Sequence, residues 1–135
     1  MVRPFLDSDI LLRHLFQDDS DESTRATAYL SLIEQDYVRV RTAITVVFEV
    51  VLALEHVYNQ PKVAIRDVLL PLLDMPGIIL PGKQRLAAVF DMYVERDVPF
   101  TTAYHVALME HFEITEIASF DPTYDEIEGI QRVKL

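Results

Sequence analysis

Apolar positions recur at two periods along the chain, and the alternation between them sketches short strands joined by helices. Val2-Arg3-Pro4-Phe5-Leu6 is a short apolar run that ends in Asp7-Ser8-Asp9, after which Ile10, Leu11, Leu12, Leu15 and Phe16 fall at helical spacing. This reads as strand, acidic turn and helix. Ser and Asp suit the helix start because their side-chain oxygens accept bonds from the first free amides. Past the polar connection Gln17 to Glu22, the stretch Ser23 to Asp36 places Ala26, Tyr29, Leu30 and Ile33 on one helical face. Val38-Arg39-Val40 predicts a short strand. Thr45 to about Tyr58 predicts a helix despite its β-branched residues, because the run is too long for an ordinary strand and includes Leu52, Ala53, Leu54 and Glu55.

Pro61 opens another helix, with Ile65, Val68, Leu69, Leu72 and Leu73 inward, and Pro76-Gly77 ends it. Ile78-Ile79-Leu80 predicts a third strand. Pro81-Gly82 turns the chain into a helix from about Lys83 to Arg96, with Leu86, Val89, Phe90 and Tyr93 inward. Pro99 interrupts, and Thr101 or Thr102 can cap a helix that runs to about Phe112. Glu116 to Phe120 predicts a fourth strand ended by Asp121-Pro122; after a helical turn, Ile130 to Val133 predicts an edge strand. Strands separated by helices need crossover connections, so the pattern predicts an α/β sandwich whose mainly parallel sheet is covered on both faces.

Length and composition narrow the picture. At 135 residues, half of them hydrophobic, the chain is expected to be one domain over 1–135 with a core that needs no staples. It contains no Cys, which excludes thiolate metal sites and Cys nucleophiles and fits a reducing compartment. Ala43 to Leu54 is cut by Thr45 and Glu49 and falls short of the ~20 residues that span a bilayer, so no membrane segment is expected. Asp7 and Asp9 fall where a signal peptide would need apolar residues, which makes the expected address cytoplasmic. The net charge of −10 argues against a protein that coats nucleic acid through a basic face, but not against a nuclease that holds cations on carboxylates. Arg3, Arg13, Arg39 and Arg41 lie in the first third, where a phosphate contact is therefore expected.

In an open α/β sheet, ligands collect beyond the carboxyl ends of the strands. Asp7 and Asp121 each directly follow a predicted strand, and Glu49 sits among Val46, Val47, Phe48, Val50 and Val51. Three carboxylates that converge could hold a hard cation such as Mg²⁺, which takes oxygen ligands and retains water. From their local sequence alone, turn or cap roles suit the same aspartates better, and a buried Glu49 would need a partner. His14, His56, His105 and His111 show no two-His metal spacing.

The pattern Phe5-Leu6-Asp7-Ser8-Asp9-Ile10-Leu11-Leu12-Arg13, then Thr45-Val46-Val47-Phe48-Glu49, then Ala103-Tyr104-His105-Val106-Ala107-Leu108, then Ser119-Phe120-Asp121 resembles PIN-domain proteins, in particular VapC-type toxins of toxin–antitoxin pairs. The resemblance implies a PIN-like three-layer sandwich with a central, mainly parallel sheet flanked by helices. It also implies a metal-dependent endoribonuclease that hydrolyses phosphodiester bonds in structured RNA, with Mg²⁺ or Mn²⁺ as cofactor, a homodimer, and a cognate antitoxin. Carried over by position, Asp7 is the first acid of the family's quartet, Glu49 the second and Asp121 the fourth, all three as catalytic and metal-binding residues. Thr102 stands where the family usually has the third acid, and Asp9 where it commonly has Asn, so Asp9 becomes a possible added ligand. Arg13 and His105 are candidate RNA contacts. Leu30, Val57 and Tyr58 are expected to supply dimer surface. The competing expectation is a degenerate PIN module that binds RNA or an antitoxin with little or no nuclease activity.

Overall fold

The computed structural model describes residues 3–135, and contacts along the chain divide it into two compact units, the first ending at Ala87 and the second spanning Ala88–Leu135. The architecture is a mixed α/β one with several helices and two short parallel ladders of two strands each.

In the first unit, Leu6 and Val40 are apolar and buried, and their backbone groups are satisfied by parallel pairing. Strand β1 (Val40–Arg41) pairs with β2 (Ile78–Ile79), Val40 opposite Ile78 and Arg41 opposite Ile79. On the other edge of β1, Arg41 donates its amide to the Pro4 carbonyl at 2.9 Å and Leu6 donates to the Arg41 carbonyl at 2.7 Å, a parallel bridge through Phe5. The Thr42 hydroxyl, buried, ties the Leu6 carbonyl at 2.9 Å. The predicted first strand is thus a bridge; its Val2 lies outside the described residues.

Helices then follow in the expected order: α1 (Ser8–Leu15), α2 (Asp21–Glu34), α3 (Ile44–His56) and α4 (Lys62–Leu73). Ser20 caps α2 by accepting the Ser23 amide at 3.1 Å. Helix α3 is rich in β-branched residues of modest helix propensity, and burial decides its conformation: Val46, Val47, Val50, Val51 and Leu54 form one buried stripe at steps of three and four. In α4 the buried stripe is Ile65, Leu69 and Leu73, whereas Val68 is half exposed, a correction to its expected inward position. Leu30 is also corrected: it is a core residue of this unit, 3% exposed, and supplies no outer surface, while Val57 and Tyr58 remain on it. The Tyr58 ring stacks on Phe16 with centroids 3.9 Å apart.

Gly77 lets the lead into β2 approach the end of α2. A Cβ there would meet Ile33 Cγ2 at 2.7 Å and the Ile33 carbonyl oxygen at 2.9 Å. One of these neighbours is backbone and cannot swing away, so Gly77→Ala is expected to destabilise the chain by about 1–3 kcal/mol in urea unfolding. A variant as stable as the parent would show that the approach is not tight.

The second unit holds most of α5 (Leu86–Glu95), all of α6 (Phe100–His111), and strands β3 (Glu116–Ile117) and β4 (Gln131–Arg132), which pair in parallel. The expected single central sheet is therefore seen as two separate short ladders. Pairing stops at Ile117, so the predicted strand Glu116–Phe120 loses its second half. Phe90, Tyr93 and Phe100 form a buried aromatic cluster, and Val106 packs with Tyr124 and Ile127. The start of α6 differs from the threonine cap read from the sequence. Pro99 is the capping residue, at φ −57° and ψ 148°, and Thr102 lies in the first turn with its side chain buried. Proline's fixed φ sets the chain extended before the helix, which moves the start ahead of both threonines.

Candidate functional site

Asp7 follows the Pro4–Leu6 bridge at the carboxyl end of the parallel pairing, in an extended conformation that starts α1. Its Oδ1 accepts the Ser8 amide at 2.8 Å. The Ser8 hydroxyl in turn donates to Glu49 Oε2 at 3.0 Å, so one serine bonds both the carboxylate beside it and one that lies 41 positions further along the chain. Both acids are exposed. Glu49 owes this to its place off the buried stripe of α3, which removes the need for a buried counter-charge. The arrangement is a solvent-facing pair of anionic acceptors joined through Ser8, whose amide bonds one and whose hydroxyl bonds the other. It can receive donors from a ligand or the water shell of a cation.

Asp9 and Arg13 face elsewhere. They line a cleft of about 370 Å³ between α1 and α2 with Glu22, Arg25 and Tyr29. Arg13 lies 3.8 Å from Asp18 and 3.6 Å from Glu22, and Arg25 pairs with Asp21 at 2.8 Å. The guanidinium of Arg13 is thus shared between two exposed carboxylates, a contact worth little to stability at a surface.

In the second unit, Asp121 caps the 3-10 turn Pro122–Glu126 by accepting the Thr123 amide at 2.9 Å, while its own amide donates to Ser119 Oγ at 3.0 Å. The bonds from the Thr123 amide and hydroxyl hold its carboxyl below the ordinary carboxylate range, with a smaller contribution from Arg132. Arg132 forks onto Asp125 at 2.8 and 2.7 Å, lowering that carboxyl as well. Both groups have folded values below their unfolded ones, so their stabilising contribution is complete above the unfolded value of about 3.8 and is lost as pH falls through the folded values. Unfolding between pH 6 and pH 2 is expected to show stability falling below about pH 4, less steeply in Asp125→Asn. An unchanged acid limb in that variant would remove the pair from the account.

Thr102 is 5% exposed and shares a buried stripe of α6 with Val106 and Met109. His105, one turn on, is exposed and sits with Nδ1 3.3 Å from the Tyr124 hydroxyl. Among the described residues no group of three or more His, Cys, Asp or Glu side chains lies close enough to hold a metal ion. The donor pair that the first unit brings together is Asp7 and Glu49, joined through Ser8.

Ser8 stands out in the sequence by its place beside Asp7, where a hydroxyl can bond water or a carboxylate, and the structure gives it that role; nothing in one dimension names Glu49 as the partner. Asp125 and Arg132 look like ordinary surface charges until β4 brings them together. Tyr37 is 77% exposed beside Arg3, Arg39 and Arg41. No family model and no curated protein matches the chain. No helix among the described residues is long and apolar enough to cross a membrane.

Proposed function

We propose that the chain is a degenerate PIN-like module that binds RNA or a cognate antitoxin and cuts RNA little or not at all. One observation carries the reading: among the described residues no three His, Cys, Asp or Glu side chains form a group that could hold a metal ion, and the position expected to be the third acid is a neutral, buried Thr102. A hard cation held by one or two carboxylates leaves the rest of its shell to water and phosphate, so two acids support loose and exchangeable binding in place of a resident ion. The chain order, with Asp7 at a strand end and Glu49 on the neighbouring helix, supports the PIN-like part of the proposal. A three-layer sandwich over 1–135, a homodimer and a cytoplasmic setting belong to the same proposal.

The second reading, a Mg²⁺- or Mn²⁺-dependent endoribonuclease, is favoured by the Ser8-linked pair of Asp7 and Glu49. A cleavage assay separates the two. Purified protein is incubated with total cellular RNA and Mg²⁺ or Mn²⁺, beside a Glu49→Gln control whose circular dichroism matches the parent. The expected result is no metal-dependent cleavage above that control. Cleavage that Glu49→Gln abolishes would replace the binding reading with the nuclease one.

A further inference from the structure

Three arginines, Arg3, Arg39 and Arg41, line one cleft of this acidic chain beside the β1 pairing. Arg3 and Pro4 enter the bridge to β1, Val38 and Arg39 enter β1 itself, and with Asp36, Tyr37 and Arg41 they line an open cleft of about 810 Å³. The turn that builds it is closed by backbone bonds. Asp36 takes a left-handed conformation, φ 65°, at the end of α2; its amide donates to the Ile33 carbonyl at 3.1 Å and the Tyr37 amide donates to the Leu32 carbonyl at 2.9 Å. Those two bonds close the helix in a Schellman motif and satisfy its last carbonyls. Arg39 Nε then donates to Asp36 Oδ1 at 3.0 Å, which sets one charge against the other.

Two cations remain. Among the described residues neither Arg3 nor Arg41 forms an ion pair, and both are exposed. In the same cleft the turn presents Tyr37, 77% exposed, with its backbone held by the bond to the Leu32 carbonyl. Guanidinium groups match phosphate oxygens in a bidentate fork, and an exposed ring beside them offers a face on which a base stacks. We propose that this cleft is a binding site for a single-stranded RNA segment, with phosphate on Arg3 and Arg41 and an unstacked base on Tyr37. The choice of RNA rests on the PIN-like binding reading above. A duplex would satisfy the arginines but hides its base faces, and an acidic protein would leave the ring without a stacking partner.

The test is fluorescence anisotropy with a labelled oligouridylate of about ten nucleotides, within the site sizes that single-strand binders cover. The full chain is compared with Arg3→Gln/Arg41→Gln and with Tyr37→Leu, each checked by circular dichroism. The double variant is expected to weaken binding at least tenfold and to flatten the dependence of log affinity on log salt by about 1.4, the loss of two single-strand phosphate contacts. Tyr37→Leu is expected to weaken oligouridylate binding about tenfold, while weak binding of a blunt RNA duplex is unchanged. No effect of Tyr37→Leu, no binding of the oligonucleotide by the parent, or polyglutamate bound at the same arginines in its place would overturn the proposal. Metal-dependent cleavage lost in Glu49→Gln would overturn the binding-only reading and leave this site standing. Failure at this cleft leaves recognition of an antitoxin intact.

Discussion

Phe100→Ala is expected to cost about 3–5 kcal/mol, the range for truncating a buried aromatic side chain. Phe100 is 4% exposed; its ring lies 5.0 Å from Phe90 and 5.4 Å from Tyr93, the latter nearly edge to face. Such pairs add to the burial itself, because the positive edge of one ring meets the negative face of the next. Phe100 is also the first residue of α6, directly after Pro99, so the cluster anchors the helix at its start. Its loss loosens the segment that carries Thr102 and His105 and weakens the contact between His105 and Tyr124. A domain's whole stability is on the order of 5–15 kcal/mol, so the loss is a large share of it. Urea unfolding followed by tyrosine near-ultraviolet dichroism checks the result, with Phe100→Leu as a milder comparison. A change below about 1 kcal/mol in the alanine variant would show that Phe100 is not the anchor.

The helices were legible because their apolar stripes are periodic and their ends are marked by particular residues. Asp7 and Ser20 cap α1 and α2, and Pro61 stands directly before α4. In α3 length outweighed β-branching, and the buried valines explain why. Sheet pairing was far less legible, since the ladders comprise two residues per strand and backbone register has no signature in so few positions. Glu49 could be read as buried or exposed from its apolar neighbours; only the rotation of α3 assigns it to the outside. Leu30 looked like surplus hydrophobic surface because the sequence does not say how many faces of α2 are covered. The arginines of the first third were legible as a charge bias. The meeting of Arg3, Arg39 and Arg41 with Tyr37 in one cleft was not, because it depends on a left-handed Asp36, a conformation that Asp tolerates but does not announce.

Thr102→Asp tests the candidate site most directly, and burial predicts a loss of stability where the family pattern alone predicts a gain of metal affinity. The side chain is 5% exposed on the stripe that includes Val106 and Met109. On that buried, largely apolar stripe a carboxylate gives up water, so its folded pKa is expected to rise above the unfolded value and the neutral form to be favoured. A rise of two to three units corresponds to about 3–4 kcal/mol at neutral pH. The sign of the pH dependence follows. A raised folded value leaves the acid harmless below its unfolded pKa, and the penalty grows as pH climbs toward the folded value. Against the parent, the deficit is therefore expected to be small near pH 4 and largest above pH 7. Thr102→Asn, polar but uncharged, carries no such slope. Urea unfolding of both variants across that range checks the sign, repeated with Mn²⁺. A Thr102→Asp chain as stable as the parent at pH 7, or one that Mn²⁺ restores while leaving Thr102→Asn unchanged, would mean that this position opens onto a cation site, and the binding-only reading would fall with it.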